Sequence, residues 1–367
     1  MKMRWQALCL VAVLTAAWDV ADAQNVKVTP IGQRTGEFCA QDRAILFEDP
    51  TGVRLLYDPG NTVAGGTDAR LGDVHVILVS HAHSDHLGGA KLNQDPDSSA
   101  SSCSSALTTP APSSNTAEIA AAKHSAVIAG GPLAGVIGRL IAAVVGSPIL
   151  GCPASGLTNE MIVPLTAACT AGLGLSAKRT VRREPATRGV QISAVEAEHT
   201  NELSSAFLAD PEKTNLSSNS LGAYVGLANG FVVTFTNGLK VYLSGDTGLT
   251  SDMGSIVRGY FGANLVVINI GDIFTTGPEE AAFAVTELIR PASVIPSHVN
   301  QAATVNGIAV AGSRTARFLE LLSSRSSRKD SDDRGPGVRG ISVFLPLSGV
   351  TMQFNGNGRC EVGCQGR

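Results

Sequence analysis

His81-Ala82-His83-Ser84-Asp85-His86 puts three imidazoles and a carboxylate into six consecutive positions of a chain that has only seven histidines. Residues 74–80 just before it form a nearly continuous apolar run, the pattern of a strand buried on both faces. A buried strand that ends in a cluster of imidazoles delivers those rings to a sheet edge. Imidazole nitrogen and carboxylate oxygen are good donors for zinc and its neighbours in the transition series. On extended chain, alternate side chains point the same way, so His81 and His83 can close on one ion. If the chain then turns, Asp85 and His86 face a second. The rival reading, a polar loop that happens to be rich in histidine, does not account for the strand leading into it.

These four residues cannot complete two metal sites, so other donors are needed. His199 follows a strand pattern at 190–197. Asp246 lies in Ser244-Gly245-Asp246-Thr247-Gly248, after a strand pattern that contains Tyr242. His298 follows the short apolar stretch Val294-Ile295-Pro296. Each sits where a strand hands a side chain to a loop, the usual place for functional groups. Taken singly, each also reads as a hydrogen-bonded core histidine or a loop aspartate; together they complete a ligand set. His75, inside the strand pattern, and His124, on a helical one, read as structural or surface residues.

With these residues in place the chain resembles the metallo-β-lactamase-fold hydrolases, most closely the branch of L-ascorbate-6-phosphate lactonase-like and related metal-dependent hydrolases. The family's His-x-His-x-Asp-His motif corresponds to His81–His86, its later histidines to His199 and His298, and its Gly-Asp-Thr to Gly245-Asp246-Thr247. Asp58 in Tyr57-Asp58-Pro59-Gly60 and the stretch Thr276-Gly277-Pro278-Glu279-Glu280-Ala281 also match. The resemblance covers about residues 26–91 and 190–355. It implies a four-layer αββα sandwich in which His81, His83 and His199 hold one divalent ion, Asp85, His86 and His298 hold a second, and Asp246 bridges them. Asp58 is expected to orient a ligand from behind. True β-lactamases of this fold generally carry Cys where Asp246 stands, which argues against antibiotic hydrolysis.

Two close divalent ions lower the pKa of a shared water from 15.7 toward about 7, and the hydroxide between them attacks an electrophilic centre. Zinc is favoured, with manganese or iron(II) as alternatives, and Asp85 is expected also to relay a proton to the leaving group. The expected substrate is a small-molecule ester or lactone. A phosphodiester, including a phospholipid, is the second reading, and a metal-dependent binding protein without turnover the third.

The rest of the chain sets the context. Its 367 residues, 44% hydrophobic and 16% charged, suit one large globular domain. A net charge of −3 gives no pull toward nucleic acid. Residues 1–23 read as a signal peptide: Lys2 and Arg4, an apolar run at 7–17, then Ala21-Asp22-Ala23 before Gln24. The apolar run is too short for a membrane span. The mature chain, 24–367, is therefore expected in the periplasm or outside the cell. There Cys39, Cys103, Cys152, Cys169, Cys360 and Cys364 suit disulfides of undetermined pairing.

Residues 92–188 stand out as a long insertion before the next ligand histidine. Its stretch 98–114 is Ser/Thr/Pro-rich and reads as loop, 116–128 has helical composition, and the apolar 126–151 suggests a buried or lid-like helix rather than a membrane span. Lys178, Arg179, Arg182, Arg183 and Arg188 form a basic cluster, a solvated face or an anion site. Strands are expected at 26–29, 44–48, 53–57, 222–227, 231–236, 239–243 and 265–270, with tight hairpins at Asn229-Gly230 and Asn237-Gly238. Helices are expected at 278–289 and 313–322, a charged loop at 325–340 and a closing strand pair within 341–354. Mixed strands with peripheral helices imply two packed sheets with helices outside.

Overall fold

The computed structural model describes residues 24–93, Cys103, 107–328 and 340–365. The expected signal peptide, most of the Ser-rich stretch and residues 329–339 lie outside them. Two sheets, each with eight described strands, pack face to face. The first is ordered Cys360–Val362, Met352–Phe354, Val26–Pro30, Ile45–Glu48, Arg54–Tyr57, Val76–Leu78, Ala126–Ala129 and Cys169–Gly172. The second is ordered Ser342–Val343, Ser293–Ser297, Leu265–Asn269, Lys240–Leu243, Asn229–Thr234, Val190–Glu196, Lys178–Arg183 and Glu160–Val163.

The continuous apolar run before His81 explains the layering. Val76 and Leu78 point into the cluster shared by the two sheets, with Phe47 and Leu55 from the first and Phe231, Val241 and Ile295 from the second. Ile77 points the other way, against helices Asn115–Lys123 and Gly131–Val145. On the far side, Val266 and Val294 meet Met253, Ala281 and Phe318 of the outer helical layer. Strands apolar on both faces need cover on both faces, and the αββα sandwich supplies it.

Strand direction places the functional edge. Arg54–Tyr57, Val76–Leu78, Ala126–Ala129 and Cys169–Gly172 run parallel, as do Lys240–Leu243, Leu265–Asn269 and Ser293–Ser297. Val190–Glu196 and Lys240–Leu243 are both antiparallel to Asn229–Thr234, so they share a direction. Asp58, His81, His199, Asp246 and His298 all lie just past the carboxyl ends of such strands.

Several local expectations are corrected. Residues 126–129 are not helical: Ala126–Ala129 is a fully buried strand paired with Val76–Leu78. The insertion 92–188 is woven into the sandwich, because its strands extend both sheets, and the buried helix expected within 126–151 is Gly131–Val145. Within the stretch read as loop, Thr108–Pro110 pairs with Ala90–Leu92. Asn229-Gly230 opens a strand rather than turning a hairpin. A side chain on Gly230 would meet the Leu243 carbonyl at 3.0 Å, so close strand approach explains the glycine. The strand expected at 222–227 is reduced to Ala223–Tyr224, paired with Glu202–Leu203. Ser342–Val343 and Met352–Phe354 do not pair with one another but join opposite sheets. The helix expected at 313–322 runs on as Arg314–Arg328, through the start of the expected charged loop.

The cysteines pair as Cys39–Cys103, Cys152–Cys169 and Cys360–Cys364. Among the described residues no helix is long and apolar enough to cross a membrane.

Candidate metal centre

The strand Val76–Leu78 ends before Ser80, and the chain then turns into the short helix Ser84–Leu87. His83 keeps extended backbone as the residue before that helix, while Asp85 and His86 occupy its turn. Gly88, with φ +86°, closes the helix, and a side chain there would meet the Gly60 carbonyl at 2.7 Å. The motif is thus split, with His81 and His83 on extended chain and Asp85 and His86 on a turn.

All seven candidate ligands converge. His81 Nε2 lies 3.0 Å from His83 Nδ1, which lies 3.3 Å from His199 Nε2. A tetrahedral zinc ion with bonds of about 2.0–2.1 Å requires donors roughly 3.3–3.4 Å apart. His86 Nε2 lies 3.7 Å from Asp85 Oδ2, and His298 Nε2 lies 3.4 Å from the same oxygen. Asp246 faces both groups: its Oδ2 is 3.7 Å from His199 Nε2 and 2.9 Å from His298 Nε2, and its Oδ1 is 3.3 Å from His86 Nε2. Three sets of donors, His81/His83/His199, His81/His86/Asp246 and Asp85/His86/His298, each fall within 4.8 Å and could hold a metal ion.

Whether a cation fits is decided by the buried atoms. His86 Nε2 and Asp246 Oδ1 are buried without a hydrogen-bond partner. Orphaned polar atoms in a core are costly unless something else engages them. Burial opposes a charge on His86, yet the carboxylates of Asp246, Asp85 and Asp58 push its pKa up to about 10. The pocket therefore demands positive charge at Nε2, which a divalent ion supplies in place of a proton. Burial depresses His81, His83 and His199, keeping them neutral and able to donate lone pairs. Burial works the other way on Asp246, but His86 and His298 hold it well below the usual carboxylate range. The donor set fits a metal.

The rings are aimed from behind. Asp58 Oδ2 accepts from His86 Nδ1 at 2.8 Å and from Ser80 Oγ at 2.7 Å, and Oδ1 accepts from the Ser80 amide at 2.8 Å. Ser80 Oγ also lies 3.0 Å from His81 Nδ1, so one serine and one aspartate fix two imidazoles with Nε2 forward. His199 Nδ1 lies 3.1 Å from the Phe274 carbonyl. Asn201 accepts from the Ala82 amide at 2.8 Å and pins the segment between His81 and His83. Gly245 donates to the buried Tyr57 hydroxyl at 3.0 Å, and Thr276 donates its amide to the Thr247 carbonyl at 2.8 Å. The Asp246 loop is thereby fastened from two sides.

Sequence reasoning did not find Arg43. Its buried guanidinium donates to Asp85 Oδ2 through Nη2 at 2.8 Å and Nε at 3.1 Å. Burial would raise the Asp85 pKa, but His86, His298 and Arg43 together lower it strongly. The carboxylate is thereby fixed in place beside His86 and His298. Ser80 had a faint signal, a hydroxyl between a buried strand and the first histidine; Arg43 had none. His75 accepts from the Arg54 amide at 3.0 Å, and exposed His124 caps a helix, so both stand apart from the cluster.

Residues 41–298 match the family described as a beta-lactamase superfamily domain, and the chain belongs to that superfamily. It is a metal-dependent hydrolase. A UPF0173 metal-dependent hydrolase of Cupriavidus taiwanensis is 32% identical over 270 residues, 72% of this chain and 74% of the relative. Another from Polynucleobacter asymbioticus is 26% identical over 308 residues, 82% of this chain and 86% of the relative. In fold, the chain is similar to Igni18, described as a metallo hydrolase from Ignicoccus hospitalis, with TM-score 0.51, 17% identity and coverage of 90% and 100%.

Proposed function

We propose that the chain is an exported hydrolase that uses two divalent metal ions, zinc by preference, to cleave an ester or lactone bond of a small molecule. The observation that carries the reading is the meeting of seven donor side chains, Asp246 among them, drawn from four separate stretches of chain. In this proposal His81, His83 and His199 hold one ion, Asp85, His86 and His298 the other, and Asp246 serves both. Bound there, the ions would supply Lewis acidity toward a carbonyl oxygen and a nucleophile drawn from water near neutral pH.

The protein's own residues do the arranging. Asp58 and Ser80 hold the His86 and His81 rings, Arg43 anchors Asp85, and the Phe274 carbonyl holds His199. His81, His86 and Asp246 are buried, whereas His83, His199 and Asp85 are partly exposed, so substrate approaches across the latter three. Three disulfides suit an oxidising compartment and support export.

An ester or lactone is preferred to a phosphodiester because of where the cations lie. Strand Lys178–Arg183 runs antiparallel to Val190–Glu196, which carries Arg183 and Arg188 toward the edge remote from His199. Arg183 lies against the turn at Gly52, and Arg182 pairs with Glu160 at 3.1 Å. Among the described residues, Arg43 is the cation hydrogen-bonded to a candidate ligand, and its donors are engaged by Asp85, Ala40 and Asp42.

The test compares zinc-loaded and chelated protein on a nitrophenyl ester, a lactone and bis(nitrophenyl) phosphate. Zinc-dependent cleavage of the ester or lactone is expected. Cleavage of the phosphodiester alone overturns the substrate class; metal binding without turnover on any of them favours a binding protein.

A further inference from the structure

The loop that holds His199 is unusual in what it displays. Between strand Leu265–Asn269 and helix Pro278–Phe283, Ile273 and Phe274 expose 78% and 76% of their surfaces, while the Phe274 carbonyl lies 3.1 Å from His199 Nδ1. Asp272 and Ile273 both have left-handed backbone, with φ of +63° and +66°. A β-branched residue in that region is strained, and such strain persists only where surrounding structure enforces it. The loop is held in that shape: the Ile273 amide donates to Asp272 Oδ1 at 2.8 Å, the Phe274 amide to the Asp272 carbonyl at 2.9 Å, and Thr276 is tied to Asn269 at 2.7 Å. Backbone strain and two solvent-exposed apolar side chains coincide within one hydrogen bond of a candidate metal ligand.

Two other site loops also expose an apolar side chain. Leu227 is 61% exposed, and its carbonyl accepts from Asn201, whose other end holds the Ala82 amide between His81 and His83. Leu249, three residues past Asp246, is 41% exposed, and the Gly248 amide beside it donates to the Glu198 carbonyl next to His199. Apolar side chains thus stand in water on three separate loops, each tethered to a ligand-bearing segment. Single exposed apolar side chains need no explanation, but these four stand on loops that are each hydrogen-bonded to a segment carrying a candidate ligand.

We infer that Ile273 and Phe274, joined by Leu227 and Leu249, form an apolar subsite at the mouth of the metal centre. It takes the acyl or alkyl part of the substrate, so the preferred substrate is a lipophilic ester or lactone. This rests on the reading of the site as an ester or lactone hydrolase. Covering Phe274 with an alkyl chain removes apolar surface from water on both partners, worth about a fourfold gain in affinity for each methylene buried.

The test separates the subsite from the reaction. Binding of two ketones that cannot be hydrolysed, 2-undecanone and 2-butanone, is measured by calorimetry on the zinc-loaded wild type, Phe274→Ser, Ile273→Asn and Leu150→Ser. Asparagine tolerates left-handed backbone, and Leu150, 82% exposed elsewhere on the chain, is the control. The wild type and Leu150→Ser are expected to prefer 2-undecanone strongly, and Phe274→Ser to bind it about tenfold more weakly. On nitrophenyl acetate, butyrate and octanoate, the wild type's kcat/KM should climb with chain length through KM, and that slope should flatten in Phe274→Ser. Equal ketone binding by all four proteins overturns the inference, as does an equal loss in Leu150→Ser. A wild-type dimer that Phe274→Ser dissociates also overturns it, since the patch would then serve a second copy of the chain. If no ester is cleaved but 2-undecanone binding still depends on Phe274, the subsite stands and the proposed reaction falls.

Discussion

The two edges of the sandwich are made from the same strands but handle charge in opposite ways. At the edge remote from His81, charges are matched on the protein: Arg182 with Glu160 at 3.1 Å, Lys27 with Glu48 at 2.7 Å, and Arg54 with Glu48. At the carboxyl edge, histidines and carboxylates crowd into the interior, and buried His86 Nε2 and Asp246 Oδ1 have no hydrogen-bond partner. Among the described residues, the imidazole and carboxylate atoms buried without a partner, His86 Nε2, His298 Nδ1 and Asp246 Oδ1, all belong to the carboxyl edge. That contrast locates the chemistry without reference to the motif.

The largest effect expected from breaking the contrast is at its centre. Asp246→Ala or His83→Ala should lower turnover by at least about a thousandfold while far-UV circular dichroism stays that of the wild type, since the cluster does not hold the sheets together. Near-wild-type hydrolysis by either variant would contradict the assignment. Asp58→Asn removes the charge behind His86 but keeps the shape; zinc affinity measured by competition with a chromophoric chelator should fall about 10- to 100-fold. Unchanged affinity would mean that Asp58 is not what aims the ring.

Smaller effects belong to the other edge. Arg183→Ala and Arg188→Ala should each change kcat/KM by less than about twofold on an ester, because surface charges this far from the reaction contribute little. A tenfold loss on a phosphodiester would erase the distinction between the edges. His75 should give the smallest signal. Burial, then Arg183 and Arg54, lower its pKa from the ordinary 6.5, and its Nδ1 accepts from the Arg54 amide, so the folded form prefers the neutral ring. The unfolded chain therefore binds the extra proton first, and stability should fall as pH drops below 6.5 and level off above it. Urea titrations from pH 5 to 8 on the wild type and His75→Phe should show this slope weakened in the variant.

What could be read from the sequence follows from what is local. His81–His86 was legible because the donors are neighbours in the chain and the strand before them is continuously apolar. His199, Asp246 and His298 were legible as residues at strand ends, although their meeting is a property of the two sheets. Arg43 was not legible, since only the pairing of strands brings it to Asp85 forty-two residues away. Ala126–Ala129 was misread for a physical reason: a strand buried on both faces has no alternation, and a short apolar run of alanine and valine is equally good helix. The basic residues of 178–188 looked like a site by composition, but antiparallel pairing turned most of them away from it.

One pairing has a bearing on how the molecule comes into being. Val28 lies opposite Met352, so a strand near the start of the described chain completes its ladder only with one near the end. A contact of that span closes a very large loop, and such contacts form late and slowly. During synthesis at about 5–20 residues per second, the first sheet must keep an open edge for some tens of seconds. A nascent chain of this design stays incompletely folded until its last strands emerge, and the first sheet is exposed along one edge for the whole of that time.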